Sequence, residues 1–453
     1  VSKTFYLETF GCQMNVHDSE KVRGTLAGRG YEQVHQPGEA DLVLFNTCSI
    51  RDKAEQKVFS RLGTVRDGGP EQKIGLLGCV AQHNGEEIFK TAPHVDLVCG
   101  SASYNELPDL IERLERGEKR VLGLSLDTDE TFDQPMADRD NPYSAYLTII
   151  EGCDKSCAYC VVPFTRGPER SRSSASVMEE ARRIAANGTA EIMLLGQTVN
   201  SYRDPSDAGW NFARVLEAVG EVEGIRRVRF TTSHPRDFTG DIVDAIDRNP
   251  VLCDWVHLPV QSGSTKVLRG MRRTYSRDEY LRVIDRIKAG KRDIALSTDI
   301  IVGFPGETEE DFKETLSLIE EVGYAQLFAF KYSPRKGTDA IEYEDAVPEE
   351  EKSRRLAILQ ELQRKLQRHK NEEWIGREDE ALVEGYRAKF GQWVGRTSQN
   401  RVLNFSDPEG LGGDDLKGSY CRVKVTAAGP NSLIGELVAV EQRAMQPAFA
   451  ILQ

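Results

Sequence analysis

A chain of 453 residues, 39% apolar and 29% charged, has room for about three folded domains and ample material for their cores. It holds no apolar run near the ~18 residues a membrane-spanning helix requires, and no basic-apolar-small leader opens it, so a cytoplasmic protein with no membrane partner is expected. A formal net charge of −13 excludes a generally basic nucleic-acid coat but leaves room for a local basic site. Nine cysteines, an odd number without a secretion signal, point away from a disulfide framework and towards metal or thiol chemistry.

In chain order, residues 1–118 alternate short apolar runs, at 3–9, 41–46, 73–77 and 95–98, with helical patterns such as 18–29 and 51–65. That alternation implies βαβ units with right-handed crossovers, hence a doubly wound α/β domain. Residues 119–142 read as a linker, because Asp127, Asp129, Asp133, Pro135, Asp138 and Pro142 break any period. Residues 143–372 repeat strand and helix six times, with strands expected at 145–150, 191–195, 226–232, 255–260, 295–302 and 325–332. Six units are too few for a closed eight-stranded barrel, so a partial, open (βα)6 barrel is expected. Its last helix, 348–374, opens on Glu349, Glu350 and Glu351 and ends near Arg368 and Lys370, a polarity that complements the helix dipole. From 373 to 440 the period shortens. Five alternating runs, at 381–384, 392–395, 401–405, 420–426 and 433–438, are separated by turn residues and suggest a small antiparallel β-barrel.

The most specific pattern is Cys153-Asp-Lys-Ser-Cys157-Ala-Tyr-Cys160, directly after the first strand of the central zone. Three thiolates this close can hold three corners of a cubic iron–sulfur cluster and leave the fourth iron without a protein ligand; no nearby cysteine or histidine completes a paired zinc site. A loose zinc loop or three buried thiols is the alternative. Cys12, Cys48 and Cys79 form a dispersed set, each just past an apolar run. In a parallel sheet the strand carboxyl ends share one edge, so three thiols would converge there. Small buried residues are the alternative for these, and Cys99 occupies a comparable position.

The central run resembles the radical S-adenosylmethionine (SAM) superfamily, including the aromatic Tyr159 before the third cysteine. That resemblance implies that SAM binds the open iron and is cleaved to a 5'-deoxyadenosyl radical. The runs Gly11-Cys12-Gln13-Met14-Asn15 with Asp18-Ser19-Glu20, Asn46-Thr47-Cys48-Ser49-Ile50-Arg51, and Gly78-Cys79 resemble the methylthiotransferase branch of the superfamily. So do Arg166-Gly-Pro-Glu-Arg170-Ser-Arg172 and the C-terminal small barrel, which that family builds as a TRAM module. The resemblance covers nearly the whole chain. It implies that Cys12, Cys48 and Cys79 hold an auxiliary 4Fe-4S cluster and Cys153, Cys157 and Cys160 the SAM-cleaving one. Cys99, Cys253 and Cys421 match no ligand motif and are expected to be structural.

Within the branch, Gln13-Met14 and Asn46-Thr47-Cys48 resemble the MiaB-type tRNA methylthiotransferases. These act on the anticodon stem-loop, adding a methylthio group to C2 of N6-dimethylallyladenosine at position 37. The implied mechanism uses SAM twice, once to methylate sulfur and once to make the radical, and it needs an electron donor and a sulfur source. Rival expectations are the same chemistry on a ribosomal protein side chain or on threonylcarbamoyl-adenosine tRNA, and a non-catalytic metal-binding protein that only binds RNA.

Ligand groups in a βα barrel come from the carboxyl ends of strands. Gly196-Gln197-Thr198, Ser233-His234, Gln261-Ser-Gly263-Ser264 and Gly303-Phe-Pro-Gly306 all follow strands, and Gln197 and Ser233 are the candidates for hydrogen bonds to SAM. Tyr159 and Arg166 join them as cofactor candidates. Arg166, Arg170 and Arg172 suit a carboxylate or an RNA phosphate equally. Between Arg377 and Glu436, eight Lys or Arg face nine Asp or Glu, so there is no basic stripe. Arg387, Lys389, Phe390, Trp393 and Arg396 nevertheless interleave charge with aromatics, as RNA contacts require.

Overall fold

The computed structural model describes residues 3–49, 52–65, 72–126, 141–206, 209–344, 346–413 and 415–443. Most of the expected linker, with Asp127, Asp129, Asp133, Pro135 and Asp138, lies outside them, as do Ile50 and Arg51.

Strands β1 (Lys3–Phe10), β2 (Tyr31–Gln33), β3 (Leu42–Thr47), β4 (Lys73–Gly78), β5 (Leu97–Gly100) and β6 (Val121–Gly123) form one sheet in the order β2-β1-β3-β4-β5-β6. Every pairing in it is parallel. The crossovers are α1 (Gln13–Gly28), α2 (Asp52–Val65), α3 (Cys79–Asn84), α4 (Glu87–Thr91) and α5 (Leu107–Glu115). Successive side chains of β3 go to opposite faces: Leu42 and Leu44 meet α1 and α5, whereas Val43 and Phe45 meet α2, α3 and α4. Two elements depart from the sequence reading. The segment read as linker from residue 119 begins with β6, which pairs with β5 and so extends this sheet. Helix α1 starts at Gln13 rather than 18, because the Cys12 backbone N–H donates to Asn15 Oδ1 at 3.3 Å and caps the first turn.

The central zone contains β7 (Ser144–Thr148), β8 (Ile150–Glu151), β9 (Arg170–Ser171), β10 (Glu191–Leu195), β11 (Arg227–Phe230), β12 (Trp255–His257), β13 (Ala295–Val302) and β14 (Gln326–Lys331). Its helices are α6 (Val162–Arg166), α7 (Ser174–Ala186), α8 (Phe212–Gly220), α9 (Gly240–Arg248), α10 (Thr265–Gly270), α11 (Arg277–Lys288), α12 (Glu309–Val322) and α13 (Glu349–Glu372). Six parallel strands make the barrel wall in two ladders, β7-β10-β11 and β12-β13-β14, joined at one bridge between Val228 and Leu252. Strands β7 and β14 do not pair, so the barrel is open. Ile192, Leu194, Val228, Phe230, Leu296 and Ile300 point out to the helices and form the main core. The alternate set, including Arg229, His257 and Asp299, points into the lumen. Helices α11 and α12 start on reciprocal caps, Ser276 with Glu279 and Thr308 with Asp311.

The last five strands are β15 (Glu378–Arg387), β16 (Gln392–Thr397), β17 (Val402–Ser406), β18 (Tyr420–Ala428) and β19 (Leu433–Gln442). They close in the order β15-β16-β17-β19-β18. The expected antiparallel barrel is corrected here: β17 and β19 run parallel, Leu403 beside Leu433 and Phe405 beside Gly435, so closure is mixed. A long connection after β17 and the hairpin β18–β19 return the chain in the same direction, which short hairpins alone cannot do.

This barrel seals the lower end of the open one. Arg229, wholly buried, donates to Glu191 Oε2 at 3.0 Å, to Thr397 O at 2.6 Å and to Ser398 O at 3.0 Å. Arg227 donates to Arg396 O at 2.8 Å. No described helix is long and apolar enough to cross a membrane. Replacing Arg229 by leucine strands the Glu191 carboxylate in the core, so Arg229→Leu is expected to cost about 3–5 kcal/mol in urea denaturation; an unchanged midpoint would show that the contact carries no stability.

Candidate iron–sulfur and cofactor sites

The Cys153–Cys160 loop leaves β8 at Gly152, whose φ of 76° is open to glycine and whose added Cβ would meet Pro168 O at 1.9 Å. Backbone bonds pin the loop to the barrel rim: Ala158 N donates to Met271 O at 3.0 Å and Ala340 N to Ala158 O at 2.8 Å. Cys153, Cys157 and Cys160 all line one cavity of about 430 Å³, with Pro163, Phe164 and Pro168 on its far wall. Burial pushes the Cys153 thiol up, and burial with the neighbouring Cys157 charge pushes Cys160 up to about 12. A pocket that disfavours bare thiolates at two of its three cysteines suits a cationic iron core, which would compensate their charge. Arg273 also reaches in: its Nη1 donates to Cys157 Sγ at 3.3 Å while Nη2 is held by Pro259 O at 3.2 Å. Tyr159 packs edge-on against Phe304, ring centroids 6.4 Å apart.

The second set lies at the carboxyl edge of the first sheet. Cys12 caps α1, Cys48 follows β3 and Cys79 opens α3. A lattice of buried amides joins the Cys12 and Cys48 turns. Asn46 Nδ2 donates to Asn15 O at 2.9 Å and to Ser19 Oγ at 3.0 Å, Asn15 Nδ2 donates to Asn46 Oδ1 at 3.2 Å, and the Cys12 thiol donates to Asn15 Oδ1 at 3.3 Å. The motif glycines make room for it: a Cβ on Gly11 would sit 2.4 Å from Asn15 Oδ1, and one on Gly78 2.3 Å from Asn46 Oδ1. The Cys12 pKa is lowered to about 6, chiefly by a hydrogen bond from Cys48 and against burial, with the Arg166 charge and the Asn15 and Met14 backbone assisting.

Arg166 stands away from both expected ligands. It ends α6, is buried, and pairs with Asp18 of α1 through Nη2–Oδ2 at 2.5 Å and Nη1–Oδ1 at 3.3 Å. Arg170 lies 3.5 Å from Glu151, and Arg172 is bound by Glu180 at 2.5 Å and Ser176 Oγ at 2.9 Å. These three arginines are therefore engaged by carboxylates inside the protein rather than turned to a phosphate. Nothing in the composition of the run distinguishes the two uses.

Gln197 and Ser233 do share the barrel rim, after β10 and β11. Gln197 Oε1 and Ser233 Oγ are buried with no hydrogen-bond partner, two polar atoms whose desolvation is uncompensated until a ligand meets them. Thr232 (φ 66°) and Gln261 (φ 75°) adopt left-handed backbone at the same rim, a strain that clusters at ligand sites. The glycines there serve packing instead: a Cβ on Gly263 would lie 2.5 Å from Thr315 Cα, and one on Gly196 2.2 Å from Ile150 Cγ2.

At the far end, the β15–β16 hairpin turns outward. Arg387 and Lys389 are exposed, Lys389 Nζ lies 5.6 Å from the centre of the Phe390 ring, and Phe390 is 63% exposed. Trp393 packs on Tyr386 at 4.8 Å. Arg396 is turned back to Glu384 at 2.9 Å and away from this tip.

Three segments match known models: residues 4–100 the uncharacterized protein family UPF0004, 147–319 the radical SAM superfamily and 372–438 the TRAM domain. A tRNA-2-methylthio-N(6)-dimethylallyladenosine synthase of Solibacter usitatus is 63% identical over 439 residues, 97% of this chain and 98% of its own. The chain belongs to this synthase family. The synthase of Koribacter versatilis is 58% identical, over 96% of this chain and 98% of its own, and that of Aquifex aeolicus 43%, over 97% and 100%. In fold the chain is similar to the radical SAM methyltransferase TsrM of Kitasatospora setae, with a TM-score of 0.56 at 14% identity over 75% of this chain and 74% of that one. The radical SAM match carries with it the use of SAM and an iron–sulfur cofactor.

Among the described residues, no three His, Cys, Asp or Glu side chains close on a single metal ion. Three cysteines without a fourth protein ligand match the donor set of a cubane with one open iron rather than a closed zinc site. In the reduced, metal-free synthase, alkylation of Cys12 is expected to titrate near its pKa of about 6, since the thiolate is the nucleophile. Cys160 should stay unmodified at neutral pH. Cys48→Ala should move the Cys12 inflection upwards, as mass spectrometry across a pH series will read.

Proposed function

We propose that the chain is a radical SAM methylthiotransferase that adds a methylthio group to C2 of N6-dimethylallyladenosine at position 37 in the anticodon stem-loop of tRNA. The observation that supports it most directly is 63% identity over 97% of the chain to a synthase acting on that base, together with one three-cysteine loop and three further cysteines at strand ends. In this reading Cys153, Cys157 and Cys160 hold the SAM-cleaving 4Fe-4S cluster, and Cys12, Cys48 and Cys79 an auxiliary one. When bound, the first cluster would pass the electron that cleaves SAM to its radical, and the second would hold the sulfur to be methylated.

The chain's own side chains bind and orient. Gln197 Oε1 and Ser233 Oγ, unpartnered at the rim, accept and donate hydrogen bonds to SAM, with Tyr159 packed beside the cluster loop. Arg273 steadies Cys157 through its N–H. Arg166 and Asp18 fix one three-cysteine loop against the other, which matters because a radical must meet one C–H bond and no other. RNA contact falls to the outward hairpin: Arg387 and Lys389 for phosphate, Phe390 and Trp393 for bases. An electron donor and a sulfur source complete the reaction as further partners, and the substrate class argues for the cytoplasm. The working division is 1–123 for the auxiliary cluster, since β6 completes its sheet, 124–142 as connection, 143–372 for SAM chemistry and 373–440 for RNA.

Anaerobic reconstitution tests the cluster assignment. Wild type is expected to hold about eight irons, and the Cys153/Cys157/Cys160 triple alanine variant about four. About four irons falling to none would reduce Cys12, Cys48 and Cys79 to buried thiols. Cys48→Ala should still cleave SAM but form no methylthiolated RNA; product from that variant would end the auxiliary-cluster assignment.

A further inference from the structure

The last barrel strand carries an aromatic surface that none of these sites uses. Phe328 and Phe330 of β14 are 40% and 38% exposed, although they stand in a wall of the central barrel. Their neighbours Leu327 and Ala329 pack on the helix-side core, so the two rings stand on the lumen face. Register decides what lies beside them: Phe328 is next to Asp299, and Phe330 next to Ile301. Ile301 in turn packs against the small cluster that holds Phe304 and Ala158, the residue between Cys157 and Tyr159. The aromatic face therefore begins directly beneath the three-cysteine loop.

A polar group is held against it. His257 meets Phe328 edge-on, ring centroids 5.9 Å apart. Its Nδ1 lies 3.0 Å from Ser297 Oγ and its Nε2 3.5 Å from Asp299 Oδ2. The Asp299 carboxylate is thus steered by a buried imidazole and keeps a part-exposed edge towards the lumen.

Two large rings left open in a lumen select an occupant that is itself flat or apolar. A carboxylate beside them repels phosphate and asks for an N–H donor. A base turned out of an RNA strand satisfies both requirements, and the strand's backbone satisfies neither. An apolar substituent on the exocyclic nitrogen would complete the cover of the rings.

Resting on the function proposed above, we infer that Phe328 and Phe330 form the wall that receives the apolar N6 substituent of the target adenosine, while Asp299, positioned by His257, accepts the hydrogen bond from N6–H. These residues then determine specificity rather than perform the chemistry. The rings read what is attached to N6, and the carboxylate reads only that a proton is there.

Fluorescence anisotropy on the reconstituted protein tests this, with anticodon stem-loop oligonucleotides that carry or lack the dimethylallyl group. Methylthiolation of the same pair by the wild type is assayed in parallel. Wild type should prefer the prenylated RNA. Phe328→Ala and Phe330→Ala should weaken binding of the prenylated RNA about tenfold or more and bring the ratio of the two affinities towards one. Phe330→Leu should keep most of the preference, because the wall remains apolar. Asp299→Ala should weaken both RNAs alike, since both carry an N6–H. A preference that persists in both alanine variants would overturn the inference alone. A wild type with neither preference nor methylthiolated product would overturn the functional reading with it.

Discussion

The buried pair of Asp18 and Arg166 is the contact around which the two cysteine sites are arranged. Asp18 lies on α1, whose cap is Cys12, and Arg166 ends α6, six residues after Cys160. One ion pair thus ties both cysteine loops together through short, rigid segments. Burial works to lower the Arg166 pKa, but the charges of Asp18 and then Cys79 raise it well above its usual value, so the guanidinium stays charged. A pair of this kind adds little net stability, since removing both ions from water is costly. What it does is select: any other docking of the two domains leaves an uncompensated charge in the core, worth about 3–5 kcal/mol.

Helix α1 follows from the same constraint. It has polar residues buried on nearly every side, including Asn15, His17, Asp18, Glu20 and Lys21, because one flank faces its own sheet and the other faces the barrel. His17 Nδ1 sits 2.7 Å from Thr148 Oγ1 at the end of β7, and Lys21 lies 3.7 Å from Glu151. A helix sandwiched this way shows no apolar stripe, and periodicity therefore finds its start late. That Cys12, Cys48 and Cys79 share one sheet edge was legible from the spacing of the strands, whereas their choice over Cys99 as cluster ligands came from the resemblance. The amides that hold them, Asn15 and Asn46, stood in the quoted motifs without a physical role, since only three-dimensional closure shows that they bond to each other.

The C-terminal barrel was legible in its strands but not in its closure. Each of β15 to β19 lies within a few residues of the expected run. Which edges meet depends on the path of the connection from Ser406 to Tyr420, which strand periodicity does not encode. Arg226, Arg227 and Arg229, three basic residues around one strand, bind Glu380, Glu191 and the carbonyls of residues 396–398 and so hold this barrel on the central one.

Arginine is where the sequence is least informative, and the reason is chemical. A guanidinium suits phosphate, SAM carboxylate and internal carboxylate by the same planar fork, so motif context does not separate them. In this chain most of the suspected arginines meet acids from the protein itself: Asp18, Glu151, Glu180 and Glu384. That use explains how an acidic protein with a net charge of −13 can act on a polyanion. Those arginines hold domains in register, and among the suspected basic residues Arg387 and Lys389 are the exposed ones, beside the exposed Phe390 ring. If these are the points at which RNA phosphate is met, the dependence on salt is shallow, and the proposed recognition of the base in the lumen carries the selectivity.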